Sequence, residues 1–304
     1  MSQVGSDYRK FLDPRTLSKI EALELRARLV VEGYFSGMHR SPYQGFSVEF
    51  AEHRHYAPGD DLRHLDWKVF GRSDKRYIKQ YAQETNLICM LVVDVSESMS
   101  YHSGQSELTK LEYATAAAAA LAYLALQQHD SVGLAAFDEK ITRFVRPTNH
   151  AGQWKTLIDE LQRVDGRRKT SVRDVLDDLS DRLSRRTLVV LISDLFDDAP
   201  EVVRGLRHLR YRRHDVIVLQ VLDPAELMFN FHGPTRFEGL EGTGKLAVDP
   251  ASIRRRYLEE VDRFTETVRR SCRQMHVDYE VFNTADSLDL VLSTYLANRC
   301  ARVG

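Results

Sequence analysis

Asp94, Ser96 and Ser98 stand where the apolar run "LICMLVVDV" gives way to the short oxygen-bearing side chains of "DVSESMS". A carboxylate and two hydroxyls spaced two residues apart, on a loop leaving a buried strand, can turn toward one centre. Hard oxygen donors without His or Cys suit Mg²⁺, Mn²⁺ or Ca²⁺ better than zinc. Donors from one loop do not complete an octahedron, so this chemistry needs neighbouring loops. Two candidates are present: Thr170 in the polar loop "GRRKTSVRD", directly before a helix, and Asp194 at the end of the strand "TLVVLISD". The same residues have a plainer use, because Ser96 and Ser98 could cap a helix and Asp94 could brace a loop.

The elements that must position these residues follow a regular alternation. From Asn86 onward, apolar runs alternate with helical stretches, the pattern of βαβ units and a mostly parallel sheet. "LICMLVVDV", "SVGLAAFD", "TLVVLISD", "DVIVLQVLD" and "VDYEVFNT" read as strands, and "ITRFVRPT" reads as an edge strand pairing with "SVGLAAFD". The stretches from "LTKLEYATAAAAALAYLAL" to "SLDLVLSTYLANR" read as the helices between and after them, with Ala116 to Ala120 letting one helix lie close on the sheet. The expected fold is α/β, a doubly wound, mostly parallel sheet over residues 87–304, with an N-terminal attachment over 1–86. Residues 223–250, richer in Gly and Phe, read as an insertion or hairpin outside the main sheet. In such a sheet, ligands collect at the carboxyl ends of the strands where the strand order reverses.

Composition narrows the function classes. With 43 basic against 44 acidic residues and a net charge of -1, no global field draws the chain to nucleic acid or to an anionic membrane. Cys89, Cys272 and Cys300 are scattered without a C-x-x-C pair, against a disulfide framework or a thiolate zinc site. The N-terminus lacks the apolar core of a signal peptide, and no run reaches the length of a membrane span. These features predict a cytoplasmic chain without an integral membrane segment, with amphipathic or partner-mediated membrane association as the alternative.

Other motifs carry less. "GLEGTGKL" has the glycines and lysine of a phosphate-binding loop, but no apolar strand precedes it and Leu246 stands where a Ser or Thr would hold Mg²⁺, so a surface hairpin is expected. His53, His55 and His64 have no further ligand at clear spacing. The basic stretch "RGLRHLRYRRHD" reads as a solvated face. No G-x-S-x-G elbow occurs. Asp94 and Asp194 with a metal could support phosphoryl hydrolysis, although two hydroxyls and a Thr suit binding better than the carboxylate-rich sites of metal hydrolases.

The set Asp94, Ser96, Ser98, Thr170 and Asp194 resembles the metal-ion-dependent adhesion site of von Willebrand factor A-type domains. The resemblance implies parallel strands with helices on both faces. It also implies Ser96, Ser98 and Thr170 as direct ligands, with Asp94 and Asp194 acting largely through bound waters. An open coordination position would then take a carboxylate from a partner protein. The stretch "YAPGDDLRHLDWKVFGRSDKRYIKQYAQETNL", with "LDPAELMF" and the closing "YEVFNTADSLDLVLSTYL", is similar to the domain of unknown function 58 family over nearly the whole chain. Membership implies a non-enzymatic adaptor or co-chaperone working with a MoxR-type AAA+ ATPase or that ATPase's client, with metal-dependent phosphohydrolysis as the alternative.

Overall fold

In a computed structural model of the chain, which describes residues 48–55, 69, 77–83, 87–164, 171–231, 233, 235–238 and 244–303, the apolar runs become strands. Strand β1 (Val48–His55) pairs antiparallel with β2 (Tyr77–Gln83), the register shifting between Phe50 and Glu52. Both belong to a compact unit bounded by Tyr34 and Asn86, and a second body of chain runs on from Leu87. Of the stretch "YAPGDDLRHLDWKVFGRSDKRYIKQYAQETNL", all but Val69, Tyr77–Gln83 and Leu87 lie outside the described residues.

From Leu87 onward come β3 (Ile88–Asp94), β4 (Ser131–Phe137), β5 (Ile141–Thr148), β6 (Leu188–Ser193) and β7 (Asp215–Leu222). The short strands β8 (Thr235–Glu238) and β9 (Lys245–Val248) pair with each other alone, and β10 (Asp278–Asn283) returns to the main sheet. The main sheet has the order β10-β7-β6-β3-β4-β5, with every neighbouring pair parallel except β4 and β5. This is the doubly wound, mostly parallel α/β arrangement expected, closed at one edge by an antiparallel strand.

Burial follows that order. Strands β6 and β7 are buried at every position, and β3 and β4 at all but the first, as parallel strands covered on both faces must be. The outer strands β5 and β10 are half-buried or exposed at every position except Phe282 of β10, which is buried. Pro147 lies on β5, where an edge strand tolerates a missing N–H. Gly133 on β4 allows β5 to approach: a Cβ there would sit 2.7 Å from the Val145 carbonyl oxygen.

Helices α1 (Lys110–Gln127), α2 (Gln153–Gln162), α3 (Val172–Arg182), α4 (Ala199–Tyr211), α5 (Pro224–Met228), α6 (Pro250–Gln274) and α7 (Leu288–Val303) complete the chain. On one face of the sheet, Met90, Val92, Val189 and Leu191 pack with Leu176 and Leu179 of α3, Val202 and Leu206 of α4, and Val268 of α6. On the other lies α1, which contacts β3, β4, β6 and β7 and also α2 and α7. Its Ala114, Ala117, Ala118, Ala119 and Ala122 are fully buried, so the alanine run lets the helix sit close to the strands. Thr109 and Glu112 form a reciprocal capping box at its start.

The basic stretch at the end of α4 meets acidic residues of α3: Arg212 reaches Asp181 at 2.5 Å and His208 reaches Asp177 at 2.6 Å. These exposed pairs add little stability, but they give the positive stretch partners within the chain. Among the described residues, no helix is long and apolar enough to cross a membrane.

Candidate functional site

Strand β3 is bonded to β4 on one side and to β6 on the other, so the chain winds outward in both directions from the β3–β6 seam. Asp94 closes β3 and Asp194 follows the last residue of β6, which brings both carboxylates to the carboxyl edge of that seam. Asp94 and Ser96 are fully buried, while Asp194 and Ser98 are 4% and 7% exposed. Four of the five sequence-predicted residues thus lie at one strand-end crevice. Thr170 lies outside the described residues.

Local chain geometry fixes the first loop. Asp94 Oδ1 accepts a hydrogen bond from the Ser96 backbone N–H at 2.9 Å, bending the chain into a 3-10 turn at Glu97–Ser100. Ser96 precedes that turn, yet its side chain makes no capping bond. Its hydroxyl lies 3.0 Å from Ser98 Oγ instead. Two adjacent oxygens on an octahedral ion, each about 2.1 Å from it, are roughly 3.0 Å apart. The hydroxyl pair therefore has the spacing of two neighbouring ligands, and the donor chemistry fits a hard divalent cation. Among the described residues, no group of three or more His, Cys, Asp or Glu could hold a metal ion, so such a cation would depend on the hydroxyls.

Asp94 Oδ2 accepts from the Ser193 hydroxyl at 2.5 Å, and Ser193 Oγ accepts in turn from the Leu195 N–H at 2.9 Å. Burial, and then the charge of Asp194, push the Asp94 carboxyl up to about 7, against the opposing hydrogen bonds from Ser193 and Ser96. Ser193 thus holds together the ends of the two central strands.

Asp194 is held from both sides. Its Oδ1 accepts from the Phe196 N–H at 3.0 Å and its Oδ2 from the Lys110 ammonium at 2.7 Å. Between them Leu195 takes φ 57°, a left-handed conformation uncommon for a branched side chain, and the turn leaves Phe196 64% exposed. Lys110 is only 1% exposed, and its ammonium also donates to Glu226 Oε1 at 2.7 Å. Burial alone would lower the Lys110 pKa, but the adjoining Asp194 and Glu226 outweigh it and hold the ammonium above the ordinary lysine value.

Glu226 belongs to α5, whose start is fixed by a capping box in which Asp223 Oδ1 accepts from the Ala225 N–H and Glu226 Oε2 from the Asp223 N–H. The other Asp223 oxygen accepts from the Ser103 N–H at 3.1 Å, tying α5 to the loop before α1. Beside Asp194 opens a cleft of about 600 Å³ whose lining includes Phe196, Asp197, Glu226, Tyr257 and Phe264. Asp197, one of the acidic pair following Asp194, accepts from the Val172 N–H at 3.0 Å and so anchors the start of α3, where the described chain resumes.

Sequence reasoning missed Ser193, Lys110 and Glu226. Lys110 shares a helical stripe with Tyr113, Ala114 and Ala117, all buried, so the spacing i, i+3, i+4, i+7 would have revealed a lysine aimed inward. The D-P-x-E order at Asp223–Glu226 signals a capping box. "GLEGTGKL" connects β8 to β9 and its Lys245 and Leu246 begin β9, so the expected hairpin is present, with residues 239–243 outside the described residues. His53 and His55 lie on β1, and His64 is outside the described residues. Cys89 and Cys272 are buried free thiols.

The profile of the family described as "Protein of unknown function DUF58" matches residues 52–267. Uncharacterized proteins of Mycobacterium tuberculosis and Mycobacterium bovis are 29% identical over 246 residues, covering 79% of this chain and 76% of theirs. Among solved structures, the conserved hypothetical protein BatB from Bacteroides thetaiotaomicron aligns with TM-score 0.48 and 15% identity over 71% of this chain and 99% of that one. The SpRpn10 VWA domain aligns with TM-score 0.42 and 13% identity over 71% and 95% of the two chains.

Proposed function

The chain belongs to the DUF58 family of proteins of unknown function, and from that premise we propose that it is a non-enzymatic protein-binding module whose β3–β6 crevice holds a divalent cation. The partner is a MoxR-type AAA+ ATPase or its client, met in the cytoplasm. The observation that carries the reading is the Ser96–Ser98 hydroxyl pair, 3.0 Å apart beside two buried carboxylates at the point where the strand order reverses.

Ser96 and Ser98, with Thr170, would hold Mg²⁺ or Mn²⁺ directly, and Asp94 and Asp194 would hold it through water. The cation, when bound, supplies an open coordination position for a carboxylate of the partner. The chain's own residues do the remaining work. Ser193 aims Asp94, and the Phe196 N–H and Lys110 fix Asp194. Phe196, exposed at the mouth, offers apolar surface next to the charge. Few anionic groups touch the ion directly in this arrangement, which leaves it able to attract an external carboxylate.

The test is isothermal titration of Mg²⁺ and Mn²⁺ into metal-free protein, wild type beside Asp94→Ala, alone and with a MoxR-type ATPase. Binding that disappears in the variant and tightens with the ATPase supports metal-bridged association, because linked ligands strengthen each other. Absence of metal binding in the folded wild type, with or without the ATPase, refutes the reading. Turnover of a generic phosphoester that Asp94→Ala abolishes would replace it with the hydrolase.

A further inference from the structure

We propose that Lys110 is a cation built into the crevice, which competes with a divalent ion for Asp194 and thereby couples metal binding to the position of α5. The proposal rests on the metal-binding reading above and adds the means by which that site is regulated.

The position of Lys110 is unfavourable on local grounds. It is the first residue of α1, and a positive charge at a helix N-terminus opposes the helix dipole. It is also buried, and a buried ammonium is costly unless paired. What holds it there is the pair of carboxylates, each at 2.7 Å. Asp194 comes from the end of β6, and Glu226 comes from α5 beyond the end of β7. Lys110 therefore bridges a residue of the candidate metal site to a residue that has no part in that site.

From Glu226 the connection continues outward. Glu226 holds the Asp223 N–H, Asp223 holds the Ser103 N–H, and Gln105 and Asn230 exchange amide hydrogen bonds at 2.9 and 2.8 Å. The rim of the crevice, formed by the loop before α1 and the segment around α5, is thus fastened to Asp194 through one ammonium. A dication placed at the Ser96–Ser98 pair would repel Lys110 and share its acceptor, so each weakens the other's hold on Asp194. By reciprocity, whatever loosens the bond between Lys110 and Asp194 strengthens metal binding, and metal binding loosens the anchor of α5.

The experiment compares Mg²⁺ affinity by isothermal titration in wild type, Lys110→Arg, and the double variant Lys110→Met with Glu226→Gln. The double variant removes one charge of each sign, so net charge is unchanged, Glu226 is not left as an unpaired charge, and Asp194 keeps the Phe196 N–H. Binding should tighten about tenfold or more in the double variant and stay near wild type in Lys110→Arg, which keeps the cation. In wild type, Mg²⁺ should also speed amide hydrogen exchange across residues 223–231, and in the double variant it should not. Equal or weaker binding by the folded double variant overturns the proposal and leaves the metal site standing. Should that variant fail to fold, unchanged exchange over 223–231 in Mg²⁺-saturated wild type overturns it. No binding by wild type or by either variant refutes the metal reading and this proposal together.

Discussion

The Ser193 hydroxyl lies 2.5 Å from Asp94 Oδ2, so the last residue of β6 holds the carboxylate that ends β3. Both side chains are fully buried, and water cannot replace the bond at no cost. Ser193→Ala would leave Asp94 Oδ2 short of a donor and Leu195 N–H short of an acceptor. The variant should lose roughly 1–3 kcal/mol of stability in urea denaturation. It should also bind Mg²⁺ more weakly by titration calorimetry, because the ionised form of Asp94 loses a hydrogen bond that favours it.

Stability should vary with pH through Asp94. Its folded pKa is raised to about 7, chiefly by burial and then by Asp194. Below the usual carboxylate range, folded and unfolded chains are both protonated and this contribution is fully present. As pH rises toward and through 7, the unfolded carboxyl ionises freely while the folded one resists, and the contribution is lost. Metal-free protein should therefore melt at lower temperature at pH 8 than at pH 5.5. Asp94→Asn should flatten that slope, and an equal slope in both would remove Asp94 as its source.

Gly133→Ala probes the seam between β4 and β5. The added methyl would sit 2.7 Å from the Val145 carbonyl oxygen and 2.9 Å from both Met90 Cε and Pro147 Cγ. Backbone cannot yield as a side-chain end can, so the variant should be about 1–3 kcal/mol less stable by urea denaturation.

The thiols offer a check on the core. Burial pushes both Cys89 and Cys272 up to about 12, so at pH 8 both remain protonated. Alkylation of the native protein with iodoacetamide at pH 8, followed by peptide mapping, should leave both unlabelled, while the same treatment in urea should label them. Labelling of either in the native state would contradict the packing of β3 or α6.

Much of the sheet was legible because parallel strands covered on both faces must be uninterrupted apolar runs, and "LVVLIS" and "DVIVLQVL" leave little alternative. Asp94 and Asp194 stood out because each breaks such a run at its end. Lys110 did not, because a lysine beside Thr109 at a helix start looks like a solvated first turn. Its partner Asp194 lies 84 residues away, where periodicity gives no information. In sequence Ser193 reads as one more strand residue, although its hydroxyl is what joins the ends of β3 and β6. From composition, residues 223–250 read as an insertion or hairpin outside the main sheet. Their β8–β9 hairpin does pair only with itself, but Asp223 and Glu226 at their start reach back to the crevice.

The seam between β3 and β6 also orders events in time. Asp94 and Ser193 are separated by 99 residues, and two strands and three helices are made between them before β6 exists to pair with β3. Closing so distant a contact is slow compared with forming the local elements. A chain still under synthesis can carry Asp94, Ser96 and Ser98 while having no crevice at all. Any partner that recognises the assembled crevice therefore engages only chains in which β6 has already paired with β3, and shorter ones pass unrecognised.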